Sequence, residues 1–356
     1  MYISDFQIIR PQYETAQKDT LDWLVEAHVK AEGGDEAFRE KMKERLWKVG
    51  CKPDRIATRG HVLGDYLHRD WDRMEIFRLL ERSEGADLGV RLKKYCEHAD
   101  RVFEEFYETA TAPDDLIHVT CTGYASPSGA QKVVSKRNWG EKTSVTHAYH
   151  MGCYGSIPAL RMAKGFLLSD ESKRRADIVH TEICSLQANP SKHETDQLVS
   201  QSLFADGFIK YSVSKKPDGL KLLATREEII PNSTAAMTWN VVEWGFEMSL
   251  AKEVPVLIAR TLKGYMERLR CDWKQALFAV HPGGPKILTH VQEILGLTDE
   301  QMAYSFGALS QYGNMSSATL PHIWKKMLDN AEDGRQVVSL AFGPGLSICG
   351  AVMEKQ

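Results

Sequence analysis

The sequence predicts a two-part α/β protein, and three observations lead there. With 356 residues the chain is long enough for two core-sized units. From about residue 110 onward, short β-rich runs alternate with helical patterns, as in α/β folds. After the polar linker SKKPDG (214–219) the alternation begins again, so the two halves share one grammar. The expected division is an N-terminal half, 1–216, with a helical N-terminal part, and a C-terminal half, 217–356. No repeat of 20–50 residues is present.

The elements follow in order. Residues 15–110 read as mainly helical. TLDWLVEAHVKAEGG and DEAFREKMKERLWKVG space their apolar residues by three and four and end at glycine. The segment DRMEIFRLLERSEGADLGVRLKKYCEHADRVFEEFYETA continues that style. LIHVTCTG, SVTHAYH, ADIVHTEIC and GFIKYSVS read as strands. In the second half GLKLLATREEII is strand-like and NVVEWGFEMSLAKEVPVLIARTLKGYMERL reads as helical. ALFAV is an apolar strand, followed by the helix of HPGGPKILTHVQEILGL with Ile287, Val291 and Ile294 on one face. VVSLAFGP and GLSICGAVME predict adjacent strands turned at Gly343-Pro344-Gly345.

The composition is that of an ordinary globular protein, 43% hydrophobic and 26% charged, with a net charge of −3. Near-neutral charge gives no reason to expect nucleic acid or an anionic membrane as partner. The start, MYISDFQIIRPQYE, meets charge too early for a secretory signal. No run approaches the roughly 18 apolar residues of a membrane span. Seven scattered cysteines, an odd number without a C-x-x-C pair, suggest neither a disulfide framework nor structural zinc. A reduced, cytoplasmic setting is the expectation.

Three residues stand at strand–helix junctions. Cys153 lies between SVTHAYH and a helix whose apolar face is Ile157, Leu160, Ala163 and Leu167, with Pro158 in its first turn. A helix N-terminus offers free N–H groups and the positive end of a dipole, which favour thiolate. Lowering a thiol by about two pKa units takes roughly 2.7 kcal/mol, within reach of a helix terminus plus one cation. A single cysteine is nevertheless most often inert packing. A metal array with His147 and His150 fails, because residues three apart on a strand point to opposite faces; His147 is expected to be a satisfied buried histidine. His281 ends ALFAV and precedes Pro282-Gly283-Gly284-Pro285, where open α/β sheets place ligands, although a lone strand-capping histidine is commoner. Asn314, in SQYGNMSSATL, reads as a helix cap or as a neutral donor to developing negative charge. Cysteine, histidine and asparagine, each at a junction, together suggest thiol-based acyl transfer.

The segments MGCYGSIPALRMAKGF, DQLVSQSLFADG, HPGGPKIL, YGNMSSATL and FGPGLS resemble, in this order, the motifs of the chalcone/stilbene synthase superfamily, the type III polyketide synthases. The resemblance runs from about residue 110 to the end and is faint before it. It implies a thiolase-like fold of pseudo-duplicated αβαβα layers, a homodimer, and a site between the halves. By the same resemblance Cys153 would accept an acyl chain from a thioester. His281 would stabilise its thiolate and, with Asn314, hold the enolate left by decarboxylation. Phe204 matches a gatekeeper aromatic; Ser316, Gly343 and Gly345 would shape the cavity wall. No permanently bound cofactor is implied; the substrates would be acyl- and malonyl-coenzyme A or acyl chains on a carrier protein.

Departures from the family pattern matter too. Met248 stands where a second gatekeeper phenylalanine is usual, Gln187 falls near a starter-selecting threonine, and Gly123 with Tyr124 replaces hydroxyl-bearing pocket residues. These changes argue against chalcone formation and for an acyl starter leading to a pyrone- or resorcinol-type product. Arg45, Lys48, Lys52 and Arg55 lie near, but not on, the positions of the usual coenzyme A lysines. That gap leaves open the condensation of two carrier-bound β-ketoacyl chains into an α-pyrone, as in antibiotic pathways. A papain-type Cys-His-Asn hydrolase uses the same residue types, but the glycine-lined junctions suggest an enclosed cavity rather than a peptide cleft.

Overall fold

The computed structural model describes residues 1–269 and 271–356. The first half contributes strands β1 (Tyr2–Ile9), β2 (Tyr13–Ala16), β3 (Thr58–His61), β4 (Asp115–Thr120), β5 (Ser144–Tyr149), β6 (Arg175–Glu182) and β7 (Gly207–Ser214). Its helices are α1 (Gln17–Glu32), α2 (Glu36–Val49), α3 (Leu88–Phe106), α4 (Gly129–Lys136), α5 (Ser156–Ser169) and α6 (Thr195–Leu203). The second half adds β8 (Leu220–Ile229), β9 (Met237–Val242), β10 (Gly245–Leu250), β11 (Leu277–Val280), β12 (Gln336–Gly343) and β13 (Ser347–Lys355). Its helices are α7 (Val254–Leu269), α8 (Pro285–Leu295), α9 (Asp299–Tyr312) and α10 (Thr319–Asn330).

A nine-stranded sheet runs β11-β12-β13-β8-β1-β7-β6-β4-β5. β4 is parallel to β5 and β6, and β11 to β12; the remaining pairs are antiparallel. The halves join through β1, which lies along β7 but touches β8 only at Tyr2 and Ile3.

Alternation along the strands sorts side chains into three apolar layers. In β12, Val337 and Ala341 face the middle of the molecule, whereas Val338, Leu340 and Phe342 face outward. In β4, Leu116 faces outward and Ile117 and Val119 face inward. The middle layer holds α5 (Ile157, Leu160, Ala163, Leu167) and α10 (Leu320, Ile323, Trp324, Met327). Helices α1 to α4 cover the outer face of the first half, and α7 to α9 that of the second. The result is the α–β–α–β–α layering of a thiolase-like fold.

Two stretches differ from their sequence-based expectation. Residues 72–87 form turns rather than helix. The buried Asp65 carboxylate accepts from Glu75 N (2.8 Å), Ile76 N (2.8 Å) and Phe77 N (3.0 Å), taking the N–H groups a helix would need. The start of NVVEWGFEMSL is the β9–β10 hairpin, with Trp239 opposite Met248 and Val241 opposite Phe246. The helix begins only at Val254. β-Branched and aromatic residues on both sides of the Glu243-Trp244 turn favour the pleated ladder, and Trp239 Nε1 anchors it on the Cys121 carbonyl (2.7 Å). His147 is paired, with Ser128 Oγ at 2.8 Å, but it is exposed on the edge strand β5 rather than buried. Among the described residues no group of three or more metal-ligating side chains converges, and no helix is long and apolar enough to cross a membrane.

Candidate active site

Each junction residue is fixed by local backbone chemistry. Beyond β5 the chain turns through His150 (φ 61°) and Gly152 (φ 76°) into a 3-10 turn, Gly152–Tyr154, before α5. A Cβ on Gly152 would meet Pro344 Cδ at 2.5 Å, so glycine is required both for its φ and for space. This turn carries Cys153, which is buried. His281 follows β11 directly, and its backbone N–H donates to the Leu340 carbonyl (2.8 Å). Its buried ring nitrogens have no hydrogen-bond partner among the described residues. Asn314 follows Gly313 (φ 70°) at the end of α9. Its N–H donates to the Leu203 carbonyl (3.0 Å) and its carbonyl accepts from Ala205 N (2.8 Å), which fixes Phe204 beside it. The Asn314 side-chain oxygen accepts from Ser316 N (2.8 Å) in an Asx turn, so it is not the expected helix cap; Met315 and Ala318 hold the cap positions of the next turn and of α10.

Cys153 stands between two cavities. The first is lined by Cys121, Thr122, Cys184, Gln187, Ser316 and Pro344, and by Arg59 and His61. The second is lined by His281, Asn314 and an apolar wall including Leu203, Val254, Ile258, Ile287 and Phe342. Cys153, Ser200, Phe204, Met237 and Met248 belong to both. The structure thus brings Cys153, His281 and Asn314 together, with Phe204 and Met248 between the two spaces.

The electrostatics correct one expectation. Burial pushes the Cys153 thiol up to about 12, although the polar side chains of Ser316 and Asn314 favour the thiolate. Desolvation outweighs the helix terminus. Burial also holds His281 down at about 3. The pair therefore rests as neutral thiol and neutral imidazole, not as a preformed thiolate and imidazolium.

The other anticipated pocket residues divide. Ser316 (φ 50°) and Gln187 line the first cavity. Gln187 also braces it, donating to the Thr122 carbonyl (2.9 Å) and accepting from Phe246 N (3.0 Å). Gly123 lines neither of these two cavities: a Cβ there would lie 2.2 Å from the Tyr95 ring, so its glycine serves close packing. Gly343 and Gly345 do not line one either. A Cβ on Gly343 would lie 2.1 Å from the Tyr154 ring, Gly345 takes a positive φ of 74°, and Pro344 between them forms the wall. Of the basic residues, Arg45 donates to the His193 carbonyl (2.9 Å), and Lys48 and Lys52 are exposed. Arg55 joins Lys286 and His290 around a surface hollow that shares Pro255 with the second cavity.

Sequence reasoning missed a buried polar cluster behind Cys153. The Glu182 carboxylate, at the end of β6, accepts from Thr122 Oγ1 (2.9 Å), Cys121 N (3.1 Å) and the Ser317 hydroxyl. Burial raises its pKa. Cys121 Sγ lies 3.4 Å from Glu182 Oε1 and 2.9 Å from Ser316 Oγ. Glu182 and Cys121 are also strand-end residues, so the signal that singled out His281 was present for them.

A cysteine on a strand–helix turn, facing a histidine and an asparagine from the other half of an αβαβα sandwich, defines a thiolase-like architecture. The family model for the N-terminal domain of chalcone and stilbene synthases matches residues 28–217, and that for the C-terminal domain matches 221–355. The chain belongs to the chalcone and stilbene synthase family, the type III polyketide synthases, and the match begins well before residue 110. Among solved structures, the C-terminal type III polyketide synthase domain of Steely1 from Dictyostelium is similar with a TM-score of 0.85 at 21% identity, covering 99% of each chain. PKS-I from the brown alga Ectocarpus siliculosus gives 0.82 at 19%, covering 100% of this chain and 99% of its own. The 1,3,6,8-tetrahydroxynaphthalene synthase of Streptomyces coelicolor A3(2) gives 0.82 at 22%, with the same coverage.

Proposed function

We propose that this protein is a condensing acyltransferase that loads an acyl or β-ketoacyl chain onto Cys153 and extends it by Claisen condensation. The observation that supports this most is the meeting of Cys153, His281 and Asn314 at one buried cavity. As a thioester approaches, the thiol proton passes to the imidazole of His281, and sulfur attacks the thioester carbonyl. The carrier thiol leaves with that proton. Decarboxylation of a malonyl thioester then gives an enolate, stabilised by the N–H donors of neutral His281 and the Asn314 amide. The enolate carbon attacks the acyl-Cys153 carbonyl; a carbon–carbon bond forms, the carbon–sulfur bond breaks, and the departing Cys153 thiolate takes a proton from solvent to regenerate the thiol. The apolar wall of the second cavity disfavours a carboxylate and so favours its loss as CO₂.

In this reading no cofactor is held permanently. Coenzyme A thioesters would arrive through the second cavity, with Arg55, Lys286 and His290 at its mouth for the phosphates. Phe204 and Met248 would gate passage to the first cavity, where Gln187 and Ser316 contact the growing chain and a pyrone- or resorcinol-type product closes. Residues 1–216 would supply the nucleophile and 217–356 the histidine and asparagine. We also propose a cytoplasmic homodimer in which a second copy covers the open edge of β5, where Ser144 and His147 are exposed.

Incubation with acyl-coenzyme A and malonyl-coenzyme A, read by mass spectrometry of protein and products, tests the proposal. Acyl-Cys153 and a condensed product support it; no product unless both chains ride on a carrier protein favours the second reading, condensation of two carrier-bound β-ketoacyl chains. Lys48 and Lys52 standing away from the cavities are the feature that keeps that reading.

A further inference from the structure

One buried cation on the wall of the first cavity takes no part in the mechanism above. Arg59, in β3 opposite Thr15 of β2, lines the same cavity as Cys153 and is only 5% exposed. Burial holds its pKa down at about 10, so it is still a cation at neutral pH. Its Nη1 donates to the Gln201 and Phe204 carbonyls (2.8 and 2.7 Å), whereas Nε and Nη2 are buried without a partner among the described residues. Nε and Nη2 form one edge of the guanidinium, the pair of N–H groups that takes a carboxylate in two parallel hydrogen bonds. Asp206, whose charge acts on Arg59, is occupied elsewhere. It accepts from Val62 N (2.8 Å), Ser185 N (2.8 Å) and Ser185 Oγ (2.7 Å), and burial raises it to about 7, so it balances the cation only in part. On the same wall, His61 Nδ1 pairs with the Leu63 carbonyl (2.8 Å) and leaves Nε2 unpartnered. A buried charge without a counter-charge is costly, and an anion in the cavity relieves that cost. His281 is in the same state, buried, lining a cavity and unpartnered.

We propose that the free edge of Arg59 is a carboxylate subsite, so that the chain this enzyme prefers on Cys153 ends in an acid: an ω-carboxyacyl group, a dicarboxylic acid activated at one end. This rests on Cys153 being the acyl acceptor. The far carboxylate accepts from Nε and Nη2 of Arg59, beside His61, while the methylene chain lies along the apolar side of the cavity at Met237, Trp239 and Phe246. Because Nη1 already holds the Phe204 carbonyl, one cation ties the end of the chain to the backbone that places Phe204. A methyl-ended chain of the same length leaves the guanidinium unpaired and shields it further from water, so the site selects against it.

The test uses the full-length protein and matched thioesters: adipoyl-, suberoyl- and sebacoyl-coenzyme A beside hexanoyl-, octanoyl- and decanoyl-coenzyme A. The rate of acyl loading on Cys153 is read by intact mass and peptide mapping. At one length in the series the acid is expected to load about tenfold faster or more than its methyl-ended partner. Masking the far carboxylate of that acid as its methyl ester should abolish the preference in the wild-type protein, a result that depends on no variant folding. Arg59→Gln should bring the ratio of acid to methyl-ended chain to about one, and Arg59→Lys, a charge without the fork, should restore part of it. N-acetylcysteamine thioesters of the same acids, which carry no phosphate, should show the same ratio. Arg59→Gln that slows every coenzyme A thioester alike and spares the N-acetylcysteamine thioesters places the cation on the carrier's phosphates and overturns the subsite. Acid, ester and methyl-ended chains that load alike at every length overturn it too, while leaving the proposed function standing. Absence of acylation at Cys153 by all of them overturns both.

Discussion

The two cavities that meet at Cys153 are built from different chemistry. The second is walled by apolar side chains from α6, α7, α8 and β12, with His281 and Asn314 as its polar groups near the cysteine. The first adds thiols, hydroxyls, amides, Arg59 and His61 from the N-terminal half to an apolar wall of Phe204, Met237, Trp239, Phe246 and Met248. A dry, sparsely polar chamber suits decarboxylation and carbanion chemistry, where each donor counts for more than in water. A chamber with more donors and acceptors along an otherwise apolar wall suits a chain that gains an oxygen at every second carbon. One nucleophile can thus serve two environments when it sits in their shared wall.

The resting state of that nucleophile gives the largest expected effect. Cys153 is held near 12, above its ordinary value, so its thiolate fraction grows with pH throughout the accessible range. Alkylation of Cys153 by iodoacetamide, followed by peptide mapping, should accelerate tenfold per unit, about a thousandfold between pH 7 and pH 10. A rate already flat above about pH 6 would mean a preformed thiolate–imidazolium pair. Next, Asn314→Asp places a carboxylate where negative charge develops in the second cavity. It should lower condensation about a hundredfold or more while sparing acyl loading on Cys153, a split that single-turnover mass spectrometry resolves. An equal loss in both steps would deny the second cavity its separate role.

Opening the shared wall should have a smaller effect. Phe204→Ala joins the two spaces, and product analysis with a series of acyl starters should show a several-fold shift toward longer chains. An unchanged distribution would mean that this wall does not select. Gln187→Ala removes a brace that satisfies the Thr122 carbonyl and the Phe246 N–H. It should cost about 1–3 kcal/mol, seen as a lower midpoint in thermal denaturation, with a modest change in starter preference.

Much of the fold is legible in the chain. Short runs rich in apolar and β-branched residues report β4, β6, β7, β11 and β12, because strands buried on both faces are near-continuously apolar. The apolar face of α5 is readable from Ile157, Leu160, Ala163 and Leu167, all buried in the middle layer. Residues 72–87 and the β9–β10 hairpin are not readable, because the Asp65 carboxylate that takes the N–H groups lies outside a helical turn's reach in sequence, and the Cys121 carbonyl that anchors the Trp239 side chain is 118 residues away. The family resemblance places Gly123, Gly343 and Gly345 at the pocket, whereas neither cavity's lining includes them, since a glycine needed for packing looks the same in one dimension as one facing a ligand.

The order of residues alone dictates which side chains stand at each strand end, and so the chemistry on offer: a thiol, an imidazole, an amide. Which strand ends meet, and how dry their meeting place is, follows only from the packed fold. Desolvation depends on everything packed around a group, not on its neighbours along the chain. That is why the helix terminus beside Cys153 suggests a lowered pKa, while the assembled core raises it.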